Sequence, residues 1–202
     1  MNHTAVRPHT HLNTRALTMT ALLAALAYIL AFLEFPIPLS PSFARMDFSD
    51  FPALIGAFAF GPVCGILVEL IKNTLQLFTT STGGVGEFAN FLMGGAYVAV
   101  AGLIYQKHKT KQTALIACVV GSIAMGITAA FANYFILLPL FENFLPLNEL
   151  IAAFGSFMPF IHTKLDIVLF NALPFNLLKG LVIGFVTMLV YKRISPLLKG
   201  TH

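Results

Sequence analysis

Of the 202 residues, 57% are hydrophobic, only 10% are charged and none is tryptophan. A soluble domain of this length carries about 25% charged residues, so the composition excludes a water-soluble globular protein and predicts an all-α integral membrane protein. The formal net charge of +4 comes from basic residues at the ends of apolar segments. That is a matter of membrane topology, and no nucleic-acid partner is expected. The short alternating segments of a β-barrel are not found.

Residues 1–14 are polar, with His3, His9 and His11. No small-residue cleavage site follows a short apolar core, so this stretch reads as a disordered cytoplasmic tail rather than a signal peptide. Spaced histidines in such a tail carry no metal assignment. Leu17–Phe35 is the first span, closed by Pro36 and Pro38, and a loop rich in proline, serine and aromatics runs to Ser49. Asp50–Phe78 is too long and too interrupted for one ordinary span. Gly83–Gly86 reads as a turn, because it lacks the Gly-Lys-Ser/Thr ending of a nucleotide loop. Glu87–Tyr105 and Thr113–Leu138 are further spans, Pro139–Ala172 is a mixed outer segment, and Pro174–Val190 is the last span. Cys64 and Cys118 lie in apolar segments and read as small core residues.

Charge decides the number of crossings. With five, the Lys107–Lys111 cluster and the basic Lys192–Lys199 tail would both face away from Arg7 and Arg15, against the positive-inside rule. Breaking the long segment at Phe60-Gly61-Pro62 gives six, because proline removes a donor and clashes with the preceding turn. The expected architecture is a single six-helix domain over 15–199 in the cell membrane, with cytoplasmic N and C termini and long outer loops 1 and 5. Glu34, Asp47, Asp50, Glu142, Glu149 and Asp166 then fall in outer loops or at outer helix ends.

In this topology the intramembrane polar groups gather in the outer half. Glu87 and Asn90 open helix four, Asn133 and Tyr134 come late in helix five, and Asn176 and Lys179 open helix six. A loop with Phe43, Met46, Asp47 and Phe48 lies above them. Apolar walls with a few convergent polar groups describe a small-molecule site, and polar residues in membranes are expensive unless they have a function or a partner. Two readings of Lys179 stand: a donor to ligand, or half of an ion pair with Glu87 or another buried acid. Glu69 and Lys72, three residues apart, read as a structural intrahelical pair.

Helix one carries Ala21-x-x-x-Ala25 and Ala27-x-x-x-Ala31, patterns that let helix backbones approach closely. They suit either internal packing or a docking face for another membrane subunit. No Walker motif, His-Glu-x-x-His, Gly-x-Ser-x-Gly or paired-aspartate metal motif occurs, so no enzyme chemistry, metal or cofactor is expected.

Several stretches together resemble the S components of energy-coupling factor (ECF) vitamin transporters, most closely the riboflavin-specific group. They are Glu34-Phe35-Pro36, Met46–Asp50, Pro52-Ala53-Leu54, Phe60-Gly61-Pro62, Val68–Asn73, Gly86–Leu92, Asn133-Tyr134-Phe135, Leu138-Pro139-Leu140 and Pro174–Gly180. The resemblance runs from about Arg15 to Lys199. It implies a six-helix protein that captures riboflavin from outside and works with a transmembrane coupling subunit and two cytoplasmic ATPase subunits. It implies substrate contacts from Asn133, Asn176 and Lys179, a lid contact from the Ala44–Asp47 region with Met46, and docking through Ala21 and Ala25. Glu87 and Asn90 join the expected site from their position. Arg45 departs from the small or hydroxyl residue expected in the lid. Rival readings are an S component for folate, pantothenate or lipoate, a stand-alone channel or secondary carrier, and a membrane enzyme acting on lipid. The last would need metal-binding acids at the cytoplasmic face, where this topology places none.

Overall fold

The computed structural model describes residues 14–36, 45–80, 82–143 and 146–199; the expected tail lies outside them, apart from Thr14. Alanine and leucine, which lose little on entering a helix, dominate the first helix, α1 (Thr14–Ala31). It ends a turn earlier than Phe35, because Phe35–Pro36 pairs antiparallel with Arg45–Met46 at the base of the first loop. Among the described residues this two-residue ladder is the one strand pairing.

The long apolar segment breaks where glycine meets proline. Helix α2 (Asp50–Phe60) stops and α3 (Pro62–Gln76) starts on either side of Gly61, whose φ of 106° is open to glycine at little cost. Pro62 sits in the first turn of α3, where a missing N–H does no harm. Carbonyls at the end of α2 also receive a donor from α4 (Val85–Lys107). There the Gln106 amide donates to the Ala57 and Phe58 oxygens at 3.3 and 3.1 Å. Helix α5 (Lys111–Ala132) begins at Thr110, whose hydroxyl accepts from the Thr113 N–H.

Two expectations fail at prolines. Helix five does not end at Leu138, nor does the last helix begin at Pro174. A π turn over Asn133–Leu137 carries α5 into α6 (Leu138–Phe141), and a second over Val168–Ala172 joins α8 (Lys164–Ile167) to α9 (Leu173–Lys199). In each turn a leucine N–H bonds back five residues, Leu138 to the Asn133 oxygen and Leu173 to the Val168 oxygen. The extra residue widens the helix just ahead of Pro139 and Pro174. That relieves the clash between the proline ring and the preceding turn.

The fifth loop is therefore shorter than expected, spanning 142–163, and holds α7 (Leu147–Gly155). Leu150 and Phe154 of α7 pack on Leu138, Ile161, Ile167 and Val168 as a second, separate cluster. Lys164 pins the ends of this loop, pairing with Glu142 at 3.3 Å and lying over the Tyr134 ring.

The main core joins α1, α2, α4 and α5 through residues such as Ala27, Leu54, Tyr97, Val98 and Met125. Cys64 and Cys118 are both free and buried, as expected, and Cys118 belongs to this core. Helix α9 approaches α5 so closely that a Cβ on Gly180 would lie 2.7 Å from Ser122 Oγ. Tyr97 hooks the same residue by donating its hydroxyl to the Gly180 oxygen at 2.8 Å. Outside this core lies an apolar girdle, with Leu17, Ile29, Leu103, Ile127, Phe131, Phe185 and Leu189 all exposed, as a lipid-facing surface requires. Among the described residues, four runs are long and apolar enough to cross a membrane: Thr14–Ala31, Val85–Lys107, Lys111–Phe141 and Lys164–Arg193.

Candidate functional site

The short turn before α2 begins the site. Asp47 Oδ1 accepts the Ser49 N–H at 2.7 Å, which folds Asp47, Ser49 and Asp50 into one tight unit. From α9, Lys179 reaches this unit and pairs with Asp47 Oδ2 at 3.1 Å and Asp50 Oδ2 at 3.0 Å. From α3, Lys72 takes the other Asp50 oxygen at 2.7 Å, Glu69 Oε2 at 2.7 Å and Ser49 Oγ at 2.9 Å. The side chains of Lys72, Glu69 and Asp50 have no exposed surface at all. Such charges persist in an apolar interior only when each is paired.

A hydrogen-bonded chain leads on from this network. The Asn73 amide donates to the Glu69 backbone oxygen and to Glu69 Oε2, and its own oxygen accepts from Asn90 of α4 at 3.1 Å. Beside that bond a cleft of about 190 Å³ opens between α3 and α4, with Leu70, Asn73, Leu77, Glu87 and Phe91 in its walls. The opening of α4 is shaped by Thr82, whose hydroxyl donates to Glu87 Oε2 at 2.9 Å and accepts the Gly86 N–H.

The structure thus joins Asp47, Asn90 and Lys179 of the expected site residues into one network. Glu87 is not the acid that meets Lys179; the five-residue hop to Thr82 captures it locally. Asn133 and Asn176 donate to carbonyls of their own helices, Ala129 at 2.8 Å and Ala172 at 2.9 Å. These bonds fall at the two π turns, which pack against each other and bring both asparagines to one end of the bundle. Met46 is buried at the loop base, and Ala44 lies outside the described residues.

Sequence reasoning missed Asp50 and Lys72 as parts of this constellation, and it missed Asn73 and Asn171, both buried. The expected Glu69–Lys72 pair forms, but as the centre of a network that draws on α2, α3, α4 and α9. A signal was available. Lys72 and Lys179 are the two lysines placed well inside apolar segments, and each demands a carboxylate.

On the alanine patterns the structure separates two roles. Ala27 and Ala31 are buried against the bundle, whereas Ala21 and Ala25 are exposed on the outer face of α1.

Long apolar helices, a lipid-facing girdle and buried, paired charges define a multi-pass helical membrane protein. The family profile for the ECF transporter substrate-specific component matches residues 15–191, and the chain belongs to that family. It is 36% identical over 188 residues to the riboflavin transporter RibU of Staphylococcus aureus (strain TCH60), covering 93% of each chain. To the riboflavin transporter FmnP of Bacillus subtilis (strain 168) it is 31% identical, covering 92% of this chain and 94% of that one. A solved structure described as "Structure and mechanism of the S component of a bacterial ECF transporter" superposes with a TM-score of 0.74 at 34% identity. It covers 92% of this chain and 98% of the other.

Proposed function

We propose that this chain is the riboflavin-capturing subunit of an ATP-driven ECF transporter. The observation that carries the proposal is its likeness, over nearly the full length of both chains, to proteins named riboflavin transporters. The chemistry of the site agrees. Riboflavin is uncharged, flat and apolar at its ring, with a hydroxylated tail. Asn133, Asn176, Asn90, Glu87 and Lys179 are suited to its polar atoms, and Met46, Asp47 and Ala44 of the first loop to closing over it.

In this reading 15–199 forms one membrane domain with six crossings, and residues 1–14 form a cytoplasmic tail. Arg15, Lys107, Lys111, Lys192 and Arg193 would all face the cytoplasm together with both termini, in keeping with the positive-inside rule. Helices α2 and α3, at 11 and 15 residues, span roughly 16 and 22 Å at about 1.5 Å per residue. Both are short of the roughly 30 Å hydrocarbon core, so this part of the bundle would sit in a locally thinned bilayer. The chain itself supplies affinity and selectivity. It docks on the transmembrane coupling subunit through the exposed Ala21–Ala25 face, and two cytoplasmic ATPase subunits supply the energy.

Titration of the purified protein with riboflavin, followed by flavin fluorescence, tests the substrate. Saturable binding below micromolar concentration is expected. Absence of binding, together with thermal stabilisation by folate, pantothenate or lipoate instead, would overturn the assignment.

A further inference from the structure

At the site end of the bundle two ammonium groups share one buried cluster with three carboxylates, those of Asp47, Asp50 and Glu69. Glu69 Oε1 and Asp50 Oδ2 are both buried without a hydrogen-bond partner, Oδ2 meeting Lys179 as an ion pair alone. Lys179 is not a free cation in this setting. It is bracketed by a carboxylate from the loop and another from α2, 3.1 and 3.0 Å away. A lone ammonium in an apolar pocket attracts anions. One flanked by two carboxylates has lost that attraction, yet with three donors it can still bond a neutral carbonyl or hydroxyl.

Asp50 is the hinge of the arrangement. One of its oxygens holds Lys179 and the other is held by Lys72, which is itself fixed by Glu69 and Ser49. Its position is thereby set by two helices, α2 and α3. We propose that Asp50 is a positioning and specificity-determining residue. Braced by Lys72 and aided by Asp47, it aims the Lys179 ammonium into the site while cancelling its pull on anions, so that an uncharged ligand is preferred over an anionic one. The inference rests on the riboflavin reading and deepens it.

The test compares two probes on the intact protein in detergent, riboflavin and riboflavin 5′-phosphate, which differ by the phosphate group. The wild type is expected to favour riboflavin. Asp50→Asn and Asp47→Asn, which keep side-chain shape and remove one negative charge each, should both narrow that preference by about tenfold or more. Asp47, the more exposed of the two at 16%, carries the test where Asp50→Asn fails to fold. A purely structural role would weaken both ligands equally, so an unchanged ratio of dissociation constants in the variants overturns the proposal. Failure of the wild type to bind either probe would instead overturn the riboflavin reading on which it rests.

Discussion

Lys72 has no exposed side-chain surface and touches two carboxylates and a hydroxyl. Removing it strands Glu69 and leaves Asp50 with Lys179 alone, and breaking a buried pair from one side costs about 3–5 kcal/mol. Lys72→Met should therefore lower the thermal midpoint in detergent sharply, and adding Glu69→Gln should restore part of the loss. Asn176 differs, because its amide bond stays within its own helix. Asn176→Ala should leave the unfolding midpoint within a few degrees of wild type while weakening riboflavin binding by roughly tenfold, about 1.4 kcal/mol, the scale of a hydrogen bond. Equal affinities in titration would place Asn176 outside the site. The partner of Lys179 could not be read from its own neighbourhood. Glu87 looked available by depth, but Thr82 holds it through a local hydrogen bond. The carboxylates that do meet Lys179 lie some 130 positions earlier in the chain.

The helix break at Gly61-Pro62 was legible because both residues act through covalent geometry, which needs no partner. Gly61→Ala forces an L side chain to a φ of 106°, at a cost of about 1–3 kcal/mol; a drop in the thermal midpoint measures it. The same reasoning misplaced the ends of α5 and α9. Proline forbids one α-helical hydrogen bond, but a π turn makes a different one, to the residue five back. Whether that detour is worthwhile depends on packing between the two turns and against α7, which local rules do not contain. Its consequence is functional in form: the turns carry Asn133 and Asn171 and lead into Asn176.

The bundle as a unit uses α1 in two ways, one face packed against α2 and α3 and the other exposed. Among the described residues, Ala21 and Ala25 lie on the exposed face. The double variant Ala21→Leu and Ala25→Leu should bind riboflavin as wild type does yet lose most uptake in cells, since close helix approach is disturbed. Equal loss of binding and uptake would contradict a docking role. Composition, hydropathy and charge at segment ends were enough to establish a helical membrane protein and its main breaks, because a bilayer penalises each exposed polar group whatever the fold. They also showed that Lys179 and Asn176, at the head of an apolar helix, needed partners. Which partners they have follows from how the helices pack. Asp47 and Asp50 from one end of the chain, Lys72 and Glu69 from the next helix and Lys179 from the last become a single network only when three-dimensional packing removes water from all of them together.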